Sequence, residues 1–229
     1  MQQFSTSQSQ PLAVSSSTES QTYLLFALAI GLTVVGVFTG FAAMPLLSSP
    51  VLLACMIAEL AIIFTSGLWV NARPLNYLLF ILFPLLSGFT FTPYIVMLLS
   101  QYVNGAAILG NALLATVFMA LAASVFARTT SWNLGVFGRA LFFAVIGLIV
   151  FSLLQLFIPA LRTSQIDMMF SGAGVVIFAA FTAYDLQRIQ NMGKAGASPF
   201  LMALSLYLDI YNLFLFILRF MLAISGQRR

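Results

Sequence analysis

Two aspartates lie inside the last two hydrophobic stretches of this chain, Asp185 in FTAYDLQ and Asp209 in SLYLDIYNLF. Nearly everything around them is apolar. A carboxylate inside a bilayer is costly, so such a residue faces protein or a water-filled cavity and has a task. Brought together from neighbouring antiparallel helices, two carboxylates can share a proton or hold a cation. They cannot both ionise cheaply in a low-dielectric site. Their oxygens also suit a hard cation such as Ca2+, which makes the pair a candidate metal site as well as a proton site.

Polar residues recur near them at helical spacing. Ser205, Asp209, Asn212 and Arg219 share one face of the seventh stretch. Asp209 sits about nine residues in, roughly 14 Å along the axis. The sixth stretch carries Ser171, Phe178, Thr182 and Asp185 on one face. Arg188 follows Asp185 by one turn and offers a second reading of Asp185, as half of an interfacial ion pair. In the second stretch Glu59 shares a face with Cys55, Ser66 and Arg73. Glu59 and Arg219 are expected to neutralise each other, either as a structural tie between the second and seventh stretches or as part of a transport path. Asp167, with Ser164 three residues before it, reads as helix-end capping without a functional role.

The elements that position these residues are transmembrane helices. Hydrophobic residues make up 62% of 229 positions and charged residues 6%, far below the roughly 25% charged of soluble domains. Such a chain cannot cover itself with a water-compatible surface. Seven hydrophobic spans are expected near 23–43, 50–70, 75–99, 105–127, 138–158, 167–190 and 200–224, each close to the ~20 residues that cross the hydrocarbon core. Only helices satisfy the backbone of such spans in lipid. Residues 1–22, rich in Ser and Gln, read as a disordered polar tail, and 225–229 as a short basic tail. The tail lacks the basic region of a secretory signal, so the first span is expected to be retained.

Basic residues set the orientation. Arg73, Arg128, Arg139, Arg188 and Lys194 follow even-numbered spans, and Arg162 alone follows an odd-numbered one. The N-terminus is therefore expected in the cytoplasm, with Arg228 and Arg229 opposing this weakly. The net charge of +4 carries topology. No basic run is dense enough for nucleic-acid binding. Trp69, Trp132 and Tyr102 fall near the span ends and read as an interfacial belt. Gly36 and Gly40 fit close helix packing within the bundle. Pro84 and Pro93 break the backbone ladder of the third span.

Enzymatic function is not expected. Histidine is absent, which removes the usual general base and the usual zinc and haem ligands. The aspartates follow Tyr184 and Leu208, not the glycine of intramembrane aspartyl proteases. The one lysine, Lys194, lies in a loop, so a buried retinal Schiff base has no attachment point. Cys55, the one cysteine, has no intrachain partner for a disulfide. No cofactor is expected.

GVVIFAAFTAYDLQRIQ and ALSLYLDIYNLFLFILRF, with LSGFTFTPYI in the third span and the glutamate of the second, resemble the transmembrane Bax inhibitor motif, or Bax inhibitor-1-like, family over about residues 23–224. The short tails resemble its bacterial branch. The resemblance implies seven helices with the last surrounded by the other six, in a bacterial plasma (inner) membrane. It implies a pH-sensitive calcium leak whose sensor is a hydrogen-bonded aspartate pair, matched here by Asp185 and Asp209. Glu59 and Arg219 match further family positions. Bacterial relatives carry a basic cluster eleven to fourteen residues after that glutamate, whose first arginine latches onto the sixth-helix aspartate. Here Val70, Asn71 and Ala72 stand first and only Arg73 remains, so Arg73 is the candidate latch.

Three functions compete on this reading. The first is a pH-sensitive Ca2+ leak channel. The second is a Ca2+/H+ exchanger, distinguished by uphill Ca2+ accumulation under an imposed proton gradient. The third is a non-conducting regulatory protein that binds membrane partners through lipid-facing surfaces. The expected assembly is a monomer in the lipid bilayer.

Overall fold

A computed structural model describes residues 14–192 and 197–225. The expectations that rest on residues 1–13, Lys194, Arg228 and Arg229 lie outside the described residues. The described chain is all-helical, in the order α1 (Val14–Ala42), α2 (Ser49–Phe64), α3 (Ser66–Trp69), α4 (Leu75–Gln101), α5 (Gly105–Thr129), α6 (Gly138–Phe157), α7 (Ser164–Met192) and α8 (Pro199–Ser225). Six of these, α1 and α4 to α8, are long and apolar enough to cross a membrane. This is an integral membrane protein.

The second span departs from the uninterrupted helix expected at 50–70. It breaks at Thr65 into α2 and the single turn α3. The α2 helix has 16 residues, about 24 Å at 1.5 Å per residue, short of a ~30 Å hydrocarbon core. Side chains occupy the carbonyls at the break. The Thr65 hydroxyl donates to the Ala61 carbonyl at 2.6 Å, and the Trp69 indole donates to the Ile62 carbonyl at 2.9 Å. Trp69 is 1% exposed and Tyr102 7%. Both belong to the core, and only Trp132 of the three expected belt aromatics is exposed. The Trp69 indole found its partner in the protein and Tyr102 is buried, so sequence position near a span end did not place them in lipid headgroups.

The first helix begins at Val14, inside the stretch read as a polar tail. Thr22 is buried and donates to the Thr18 carbonyl at 2.9 Å. Glu19 pairs with Arg128 at the end of α5, 3.7 Å away. Tertiary partners thus extend the helix past the apolar segment that defines the span.

Two close approaches set the frame. A Cβ at Gly36 would strike the Leu85 carbonyl, and one at Gly88 would strike the Thr33 carbonyl. α1 and α4 therefore meet backbone to backbone, and Thr92 seals the crossing with a hydrogen bond to the Val37 carbonyl at 3.2 Å. The glycine pair of the first span does serve packing within the bundle. The second approach joins α7 and α8, where Gly174 lies under the Phe216 ring.

The last helix buries more of its length than any other long helix. It packs mainly on α7, α1 and α5, and touches α4 less. Pro199 opens it at a position where the missing N–H is no loss. Since α7 and α8 run antiparallel, the end of α7 meets the beginning of α8, and the beginning of α7 meets the end of α8. This arrangement creates two polar sites at opposite ends of one helix pair.

Candidate functional site

At the first of these ends, Asp185 and Asp209 are 2% and 6% exposed. Their carboxyls face each other across the α7–α8 contact within side-chain interaction range. Ser205, one turn before Asp209, faces Asp185 as well. Arg188 approaches the same carboxylate, with Nη1 3.6 Å from Asp185 Oδ1. The Oδ2 atom of each aspartate has no hydrogen-bond partner among the described residues. Ionised carboxylates only accept hydrogen bonds, so two that face each other lack a donor unless one carries a proton. Burial without a partner is costly enough that such atoms call for a physical account.

Asp185 thus meets Asp209 across the helix pair and pairs with Arg188 on its own helix. The pair is held by a clamp on the adjoining loop. Gln187 accepts from the Leu134 N–H at 2.8 Å and donates to the Trp132 carbonyl at 2.9 Å. This ties the α5–α6 connection to the α7 turn that carries Asp185.

The expected Arg73 latch is not formed. Arg73 is exposed and lines a recess of about 470 Å3 with Gln21, Asn76 and Ser198. It follows α3 in the turn that leads to α4, whereas Arg188 sits on the same helix as Asp185 and needs no reach. Two other expected contributors turn elsewhere. Thr182 is buried but donates to its own helix, to the Phe178 carbonyl at 2.8 Å. Asn212 donates to the Leu208 carbonyl at 2.8 Å and lines a largely apolar groove beside α6. Shared helical phase put them near the site's face, while local back-bonding took their donors.

The expected Glu59–Arg219 pair is also absent. Glu59 accepts from the Thr90 hydroxyl at 2.9 Å and faces Ser87 on α4. Around it, Tyr211 donates to the Ser87 carbonyl at 3.1 Å, and Tyr207 shares a hydrogen bond of 2.7 Å with Thr33. Hydroxyls from α1, α4 and α8 thus supply polar company that a sequence search for opposite charges overlooks.

Arg219 lies at the other end. Its Nη2 is 2.7 Å from Asp167 Oδ1 and donates to Gln155 Oε1 at 2.7 Å. Its guanidinium carbon stands 4.7 Å from the Phe170 ring centroid. Asp167 is therefore an ion-pair partner. The start of α7 is capped by Thr163, whose hydroxyl accepts from the Ile166 N–H at 3.3 Å. Gln155, 6% exposed, was not singled out from the sequence. An amide inside an otherwise apolar span is the signal that would have found it. Among the described residues no group of three or more His, Cys, Asp or Glu side chains converges.

The family model described as inhibitor of apoptosis-promoting Bax1, Bax1-I, matches residues 16–227. This chain belongs to the Bax1-I family. An uncharacterized protein of Campylobacter jejuni is 31% identical over 210 residues, covering 90% of this chain and 88% of its own. The inner membrane protein YbhL of Escherichia coli K12 is 31% identical over 189 residues, 78% of this chain and 75% of its own. An uncharacterized protein of Deinococcus radiodurans is 34% identical over 177 residues, 72% of each chain. The Bax1-I match includes all of α7 and α8, and hence both polar ends.

Proposed function

We propose that this Bax1-I protein is a pH-sensitive Ca2+ leak of the bacterial inner membrane, gated by the Asp185–Asp209 pair. The observation that carries the reading is the burial of two facing carboxyls between adjacent membrane helices. The family membership supports it, and similarity to the inner membrane protein YbhL supports the membrane assigned. In this reading α2 and α3 together make a seventh crossing, α8 is the centre of the bundle, and the N-terminus is cytoplasmic. The protein carries out no bond-making chemistry, needs no cofactor and acts as a monomer.

The mechanism follows from charge. With one shared proton the pair is compact and holds a single negative charge, which Arg188 offsets. As pH rises that proton leaves and two like charges face each other at low dielectric. Repulsion drives α7 away from α8, and Ca2+ finds carboxylate oxygens with Ser205 beside them. Leak is therefore lowest in acid and grows as pH rises. Arg188 takes the latch role assigned to Arg73 by resemblance.

The test is Ca2+ flux through purified protein in liposomes, from mildly acidic to mildly alkaline pH. Asp185→Asn and Asp209→Asn should each flatten the pH dependence. An unchanged pH response in both variants refutes the sensor. Uphill accumulation of Ca2+ under an imposed proton gradient would replace the leak with an exchanger.

A further inference from the structure

The sensor leaves the opposite end of the α7–α8 pair without a role. Asp167 precedes Asp185 by 18 residues on α7, about 27 Å of helix. A recess of about 750 Å3 opens at that end, and Arg162, Ser164, Asp167, Arg219, Tyr94 and Tyr102 line it. Two guanidiniums and one carboxylate leave it with a net positive charge. Both guanidiniums are held in place. Arg162 donates to the Gln155 and Leu156 carbonyls at 2.5 and 2.6 Å, where α6 ends. Gln155 is oriented in turn, since its amide donates to the Leu161 carbonyl at 2.9 Å and to Asp167 at 3.0 Å. Its oxygen is thereby turned to Arg219. Side chains of α6 and α7 thus hold the α8 guanidinium where it lines the recess.

We propose that Arg219 is a fixed electrostatic barrier to cations at this end of the bundle, with Gln155 and Asp167 as its positioning residues. A held arginine excludes cations from a pore by charge, and low-dielectric walls focus its field. Asp167 neutralises the guanidinium only in part, because Arg162 adds a second positive charge. The Gln155 amide sets the direction of the guanidinium and contributes no charge. The barrier is independent of the aspartate pair in its parts, although its bearing on flux rests on the leak reading.

A readout without flux tests the barrier itself. In a Cys55→Ser background, Leu222→Cys places a thiol on the recess wall. An anionic methanethiosulfonate should label it at least about tenfold faster than a cationic one of similar size. Adding Arg219→Gln should bring the two rates close to parity, and Arg219→Lys should restore the preference. Equal rates with Arg219 intact overturn the proposal. In liposomes, Arg219→Gln should raise Ca2+ flux about tenfold at the acidic pH where the parent is tight, with the pH response retained. An Arg219→Gln protein as tight as a pH-responsive parent overturns the barrier and leaves the leak standing. A parent that is tight at every pH sinks the leak, while the labelling ratio still decides the barrier. Thermal melting of each variant in detergent separates these outcomes from misfolding.

Discussion

The two ends of the α7–α8 pair are built from similar residues to opposite effect. At one end two acids face each other with one arginine at 3.6 Å. At the other, one acid faces an arginine at 2.7 Å with a glutamine bridging both. The first arrangement is frustrated: two carboxylate oxygens lack partners among the described residues, and a second negative charge makes it worse. The second is better satisfied, since Arg219 Nη2 reaches both Asp167 and Gln155, and the Gln155 amide donates to Asp167. A frustrated site responds to a proton, and a satisfied one resists change. One helix pair can therefore carry a switch at one end and a brace at the other.

The largest expected effect breaks this contrast at the switch. Asp209→Asn should abolish the pH dependence of Ca2+ flux in liposomes, because the amide cannot titrate. Stability should separate the ends more sharply. Asp167→Asn removes a charge-assisted hydrogen bond and leaves Arg219 without its counter-charge, which destabilises by about 1.5 kcal/mol. Asp209→Asn removes a like-charge neighbour and supplies a donor to Asp185, so thermal unfolding at alkaline pH should move upward. As pH falls the difference from the parent should shrink, since the shared proton already relieves the repulsion. A parallel loss of stability in both variants would mean that the two ends are alike.

Smaller effects test the frame that both ends share. Gly88→Ala forces a Cβ into the Thr33 carbonyl. Overpacking of this kind costs roughly 1–3 kcal/mol and should lower the melting temperature without changing the shape of the pH profile. Tyr207→Phe loses the 2.7 Å bond to Thr33, worth about 0.6 kcal/mol by analogy with other interhelical hydrogen bonds in membranes. Either variant shifting the midpoint of the pH response would show that the α1–α4–α8 packing reports to the aspartates.

Much of this architecture is legible without coordinates. Sustained apolar runs of bilayer length define the long helices, because lipid admits no other backbone solution. The short connection between the sixth and seventh spans makes them antiparallel neighbours, and that alone brings Asp185 near Asp209. Glycine at Gly36 marks a close crossing. The departures have different causes. Pairing Glu59 with Arg219 by charge leaves out neutral partners, whereas Thr90 on α4 donates to Glu59 and Arg219 finds Asp167 together with the Gln155 amide. The resemblance makes Arg73 the candidate latch, but Arg188 lies one turn from Asp185 on the same helix.

The sequence by itself determined that the chain lives in a membrane and which two acids must be accounted for, since hydrophobic length and the desolvation of charge are properties of the chain in any arrangement. Only the tertiary structure decided the partners between helices: Asp167 and Gln155 for Arg219, hydroxyls for Glu59. Hydrogen bonds act over about 3 Å, and helical phase places a side chain on a face without saying which neighbour lies within that distance.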